Sequence, residues 1–304
     1  MISQMAIRED IRFTVDGGVK LGAWLYLPDG PRSHCPAITM AHGYAGTREH
    51  GVAKFAEAFA AAGFVVLLHD HRAFGVSDGE PRQDVDPWRQ IADWRRPISY
   101  LESRTEVDAS RIGIWGTSYA GGHALVLGAT DKRIACVVAQ VPTISGYEQG
   151  SRRVPPEGIA ALEAALNDDE RAQARGESPR LQAIVNKDIG VPASYRTQDA
   201  IDFYLQPLSP GARWDNVVTM RSTRLARMYE PGVWAPRIGP TPLMMIVARQ
   251  DTVTLTDLAL EAYERAHEPK KLVMIPGGHF DPYLSGFDAS CGAALKWFQE
   301  HLEH

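Results

Sequence analysis

Cysteine is scarce in this chain. Of 304 residues only Cys35, Cys136 and Cys291 carry a thiol, too few and too widely spaced for a disulfide framework or a zinc knuckle. Cys136, inside IACVVAQV, reads as a small core residue. No apolar run reaches the roughly 20 residues of a membrane-spanning helix, and there is no internal repeat or low-complexity tract. An excess of positive charge is also missing, since 32 Lys and Arg against 37 Asp and Glu leave a net charge of -5 with the signs interspersed. That balance excludes a basic face for nucleic acid or for an acidic membrane; the expected partner is a small molecule, with a homodimer left open. The N-terminal MISQMAIRED has neither the positive start nor the apolar stretch of a secretion signal, so the expected location is the cytoplasm.

What is there is a rhythm. IRFTV (11–15) and KLGAWLYL (20–27) flank the turn DGGV as a hairpin should. The short apolar runs PAITMAH (36–42), FVVLLHD (64–70), RIGIWG (111–116) and IACVVAQV then alternate with helical spacing over 50–62 and 87–102. Alternation of apolar strands and helices implies a mostly parallel α/β sheet covered on both faces. From about 142 to 240 the rhythm stops; this part is richer in charge and proline, with helical stretches near 158–175 and 198–205 and no strand of core type. It resumes with TPLMMIVA (241–248), a helix over 255–266, KKLVMI (270–275) and a closing helix over 289–301. The expected division is a core of 1–142 and 240–304, interrupted by a small, mainly helical cap of 143–239.

The stretch IGIWGTSYAGGHALV places Ser118 where an apolar strand turns directly into a helix. Gly116 gives room for the sharp turn, and Ala120, Gly121 and Gly122 let the helix pack close, so the serine oxygen is expected to be presented above the sheet beside helix N–H groups. This is a nucleophile elbow, although its fifth position is alanine. A serine hydroxyl needs a base and a group that orients the base. After such an elbow the order is acid, then histidine. His279, in the glycine-rich loop IPGGHFDPY, is the candidate base; His267 reads as a surface residue at a helix end, and His301 and His304 lie in the polar tail. Asp251, in ARQDTVT, is favoured as the acid over Asp257, which falls in the first turn of a helix, and Asp281 is expected to cap its own turn. The N–H groups of Tyr44, in HGYAGTRE, and Tyr119 are the candidate oxyanion donors. His42 is expected to be structural.

Together AHGYAGTRE, HDHRAFGVSDGEPR, WGTSYAGG, ARQDTVT and PGGHFDPY resemble, in order and over most of the chain, the α/β-hydrolases of the dienelactone-hydrolase and X-prolyl-peptidase-like group. Ala120 and Ala73 stand where that group usually has glycine. The resemblance implies an α/β-hydrolase fold with an eight-stranded sheet and a serine hydrolase with no cofactor. The expected reaction is cleavage of a carboxylic ester or lactone through an acyl-enzyme. Amide or peptide cleavage, carbon–carbon bond hydrolysis, perhydrolysis and a non-catalytic ligand-binding role are the alternatives. His69, Asp70 and His71 raise the question of a metal, but adjacent strand residues point to opposite faces and nothing completes a ligand set, so no metal is expected. Asp70 and Arg72 are expected to form a buried ion pair or a hydrogen-bonded turn. Tyr147, Tyr195, Phe203, Tyr204 and Trp214 either line a pocket or form the cap's own core; Arg152, Arg153, Arg221 and Arg224 are read as solvated charge before an anion-attracting face.

Overall fold

The computed structural model describes residues 7–30 and 33–303; the first six residues and His304, on which parts of the sequence reading rest, lie outside them. The chain opens with strands β1 (Ile7–Thr14) and β2 (Lys20–Leu27), an antiparallel hairpin. Next come β3 (Cys35–Ala41), α1 (Ala53–Ala61), β4 (Val65–His69), α2 (Pro87–Glu102), β5 (Val107–Thr117), α3 (Tyr119–Thr130) and β6 (Ile134–Gln140). Local chemistry explains their limits. Asp86, for example, accepts hydrogen bonds from the N–H groups of Trp88 and Arg89, and Pro87 occupies the first position of α2, where a missing N–H costs nothing.

Between β6 and the next sheet strand lie α4 (Gly146–Arg153), α5 (Pro156–Ala174), β7 (Leu181–Ala183), α6 (Gln198–Tyr204), β8 (Val217–Thr219) and α7 (Met220–Arg227). β7 and β8 form an antiparallel pair of their own, apart from the main sheet. Each has three residues, too few to leave a period in the sequence. β9 (Leu243–Ala248), α8 (Thr256–Arg265), β10 (Lys270–Ile275) and α9 (Phe287–Leu302) complete the chain.

The main sheet has eight strands in the order β1-β2-β4-β3-β5-β6-β9-β10, parallel from β4 onward. Its faces are covered by helices, with Phe55 and Phe59 of α1, Trp94 of α2 and Phe298 of α9 fully buried against it. The loops after β3, β5, β9 and β10 all leave from the carboxyl ends of parallel strands, and so emerge on one edge. Asp70 and Arg72, just beyond β4, do not pair. The Asp70 carboxylate accepts from the backbone N–H groups of Arg48 (2.8 Å) and Val76 (3.2 Å), whereas Arg72 forks onto Asp93 of α2 with two 2.8 Å bonds. The chain turns between them, and their side chains leave in different directions.

Candidate active site

Ser118 joins β5 to α3 with φ of 56° and ψ of −118°, a conformation that a non-glycine residue adopts only where its surroundings impose it. They do so here. Its N–H donates to Gln140 O (2.8 Å), at the end of the neighbouring β6, and its carbonyl accepts from Thr143 N–H (2.9 Å), just beyond that strand. A Cβ on Gly116 would lie 2.1 Å from the carbonyl oxygen of Ala120, so the turn requires glycine there. Ala120 is fully buried at the fifth position without preventing α3 from starting at Tyr119.

The structure brings Ser118, His279 and Asp251 together from three loops. Ser118 Oγ is 2.9 Å from His279 Nε2, and His279 Nδ1 is 2.8 Å from Asp251 Oδ2. An ionised carboxylate only accepts, so Nδ1 carries the proton and Nε2 is free to accept from the serine hydroxyl. Asp251 is itself fixed by the N–H groups of Val253 and Thr254 on Oδ1 and by the Thr254 hydroxyl on Oδ2, each at 2.8 Å. Burial pushes its carboxyl up, but its interactions with His279 and these hydrogen bonds outweigh it and hold the group below the usual carboxylate range. Asp257 lies apart in the first turn of α8, half exposed and paired with Arg152. Asp281 caps its own loop by accepting from Gly278 N–H and Ser285 Oγ–H, and His267 is exposed.

Gly43 passes so close to Ser118 that a Cβ there would be 2.9 Å from the serine Cβ. This brings the loop of Tyr44 against the nucleophile, while Tyr119 begins α3 directly after it. Among the described residues, neither the Tyr44 nor the Tyr119 N–H takes an intramolecular hydrogen bond. His42 is structural: its Nε2 accepts from His71 N–H (3.1 Å) and its Nδ1 lies 2.9 Å from Gly43 O.

Ser118 is not open to solvent as expected; it is only 8% exposed. The segment between β6 and β9 roofs it, with Tyr195, Phe203 and Tyr204 lining the cavity beside it. Tyr204 Oη donates to Tyr44 O (2.7 Å), and Trp214 Nε1 donates to Ala45 O (2.8 Å) behind a stacked Tyr204 ring. Tyr147 stands apart, 60% exposed on another groove. The insertion's arginines are engaged locally: Arg152 with Asp257, Arg221 with Asp84, Arg224 with Asn167, and Arg153 with Val253 O and the face of Tyr195. His50, Val253, Phe280 and Tyr283 also line the cavity. Val253 lies in ARQDTVT, Phe280 and Tyr283 in PGGHFDPY, and His50 directly after AHGYAGTRE, but no sequence signal marked any of the four as lining a cavity. Among the described residues no group of three or more His, Cys, Asp or Glu is placed to hold a metal ion, and no helix is long and apolar enough to cross a membrane.

Sheet, elbow and loop order define a hydrolase of the α/β-hydrolase fold. More narrowly, residues 16–281 match the X-Pro dipeptidyl-peptidase (S15) family, and the chain belongs to it. Among its relatives, the quorum-quenching protein AidA of Acinetobacter baumannii (strain MDR-ZJ06) is 34% identical, over 90% of this chain and 88% of AidA. The polyketide transferase ATR5 of Stachybotrys chlorohalonatus (strain IBT 40285) is 30% identical, over 97% of this chain and 96% of its own. The crystal structure of the α/β hydrolase GrgF from Penicillium sp. sh18 superposes with a TM-score of 0.84 at 25% identity, covering 98% of this chain and all of GrgF.

Proposed function

We propose that this protein is a serine hydrolase that cleaves a carboxylic ester or lactone through an acyl-enzyme intermediate. The observation that carries this reading is the hydrogen-bonded series Ser118, His279, Asp251 at the wall of a largely apolar cavity. Ser118 Oγ attacks the acyl carbon as its proton passes to His279 Nε2. The N–H groups of Tyr44 and Tyr119 receive the oxyanion, and His279 returns the proton to the departing alcohol oxygen. Water then loses a proton to His279 as it attacks the acyl carbon, and His279 returns that proton to Ser118 Oγ as the carboxylic acid is released. Asp251, held ionised, fixes the ring and offsets its charge. The 143–239 segment acts as a cap that sorts substrates by shape and supplies none of the reacting groups.

The test is labelling with a small fluorophosphonate, located by peptide mass, together with turnover of short p-nitrophenyl esters and lactones. Modification of Ser118 with loss of turnover is expected; an unmodified Ser118 in an active enzyme overturns the proposal. A second reading, acyl transfer to an acceptor other than water, is favoured by the roof over Ser118 and by the relatives that are polyketide transferases. Adding an alcohol or amine during turnover separates the two, because transfer diverts the acyl group into a new ester or amide.

A further inference from the structure

The loop that carries Asp251 is held from the cap. On α4, Gln149 and Arg153 stand four positions apart and so share one face of the helix. Gln149 Nε2 donates to Thr254 O (3.2 Å), and Arg153 Nη2 donates to Val253 O (3.2 Å). These two carbonyls flank a single residue, Thr254, one in the peptide before its nitrogen and the other its own. Gln149 and Thr254 are both buried, at 9% and 3% exposed. Arg152 reaches instead to the half-exposed Asp257 at the start of α8.

Thr254 is also the residue that does most to fix Asp251. Its N–H donates to Oδ1 and its hydroxyl to Oδ2, each at 2.8 Å. The peptide between Val253 and Thr254 therefore has Arg153 on its carbonyl and Asp251 on its N–H. A cation at the C=O end polarises an amide and strengthens its N–H as a donor, so the guanidinium acts on the carboxylate through one peptide unit.

We infer that Gln149 and Arg153 are positioning residues for the reaction: they hold Thr254, Thr254 holds the Asp251 carboxylate, and the carboxylate orients His279. This rests on the reading of Asp251 as the acid that orients the base. The cap, which supplies no reacting group, thereby sets the geometry of one. Arg153 also lies 4.8 Å from the centre of the Tyr195 ring, and Tyr195 lines the cavity, so a change at Arg153 touches the roof as well as the acid loop.

Gln149→Met and Arg153→Met together remove both donors and keep much of the apolar bulk. On p-nitrophenyl acetate the double variant is expected to lower kcat about thirtyfold with KM within about threefold of wild type. Asp251→Ala leaves no carboxylate to hold. In that background the same two changes are expected to alter the residual rate by less than about twofold, whereas an effect through Tyr195 or through general loosening of the cap would persist. The proton on His279 Nδ1 gives a second readout that needs no turnover. Its NMR resonance is expected well downfield of the backbone amides in the wild type, and displaced upfield or broadened in the double variant. Arg153→Lys, which keeps a cation and a donor, is expected to stay within about threefold of wild type in kcat. Gln149→Met alone, expected to cost about fivefold, carries the same comparisons if the double variant does not fold. If Asp251→Ala is strongly impaired while the double variant keeps wild-type kcat, leaves the proton unmoved, or loses the same factor with and without Asp251, the positioning role is overturned and the acid reading stands. If Asp251→Ala turns over near the wild-type rate, the acid reading falls and this role with it.

Discussion

Ser118 makes one side-chain hydrogen bond, to His279, and its strained backbone is held by neighbours that do not touch the hydroxyl. Removing the oxygen therefore separates chemistry from folding. Ser118→Ala is expected to lower kcat by about a millionfold with the melting temperature unchanged within a few degrees, as ester turnover and thermal unfolding will show. At Asp251 an amide can still accept from Val253 and Thr254 on one side but presents N–H to His279 on the other, favouring the wrong tautomer. Asp251→Asn is accordingly expected to cost about ten-thousandfold in kcat. Asp257→Asn, at an exposed pair with Arg152, is expected to stay within about twofold of wild type. Ser118, Asp251 and His279 could be singled out as candidates because each sits in its own loop motif after a recognisable strand. His50, Phe280 and Tyr283 were not, since the cavity they share is made by residues from distant parts of the chain. For the same reason the burial of Ser118 could not be read from its motif: its roof comes from Tyr195, Phe203 and Tyr204.

At the scale of elements, two glycines separate the turn's construction from its use. A methyl group on Gly116 would meet the Ala120 carbonyl at 2.1 Å, a backbone contact that cannot rotate away. Gly116→Ala is expected to destabilise the protein by about 3 kcal/mol, measured by denaturant unfolding. A methyl group on Gly43 would meet the Ser118 side chain instead, at 2.9 Å, and displace the loop of Tyr44. Gly43→Ala is expected to lower kcat by about a hundredfold, the order seen when one oxyanion donor is lost, with a smaller change in stability than at Gly116. Comparable loss of stability in both variants would contradict this distinction. Long periodic elements such as α2, with its Asp86 and Pro87 start, were readable locally. The three-residue β7 and β8 were not, because each depends on a partner more than 30 residues away. Nor was the pairing of Arg72 with Asp93, which depends on how α2 docks beside β4.

Across the whole molecule, five described histidines besides His279, at 42, 50, 69, 71 and 123, are buried, and burial is the main cause that pushes each of the five below its ordinary pKa. Among the described residues, His69 and His71 have no hydrogen-bond partner on any ring nitrogen. The unfolded chain binds protons at these sites from about pH 6.5 downward, whereas the folded chain does so only from about pH 4 for His42 and about pH 3 for His50, His69 and His123. Their contribution to stability is thus fully present above pH 6.5 and is lost as pH falls through the window from 6.5 towards 4. Each such group adds up to about 1.4 kcal/mol per pH unit, so unfolding midpoints in urea are expected to fall steeply between pH 6.5 and 5. A flat profile there would show that the histidines are already protonated or solvated in the folded protein. The sequence showed only His69 and His71 as near neighbours; their ring contacts with His42 and His123 form where β4, α3 and the loops after β3 and β4 converge.

The bonds from Tyr204 to Tyr44 O and from Trp214 to Ala45 O run from the roof to the loop that presses against Ser118. Entry and reactivity are therefore mechanically linked. On the proposed reading, a displacement of the roof at Tyr204 and Trp214 would release the two carbonyls that follow the Tyr44 N–H. On that reading the roof and the proposed anion receptor would behave as a latch and its bolt, one slack while the other is withdrawn. Widening the entrance by substitution at either aromatic would trade rate for breadth of substrate, so selection for a larger substrate would have to rebuild the loop along with the doorway.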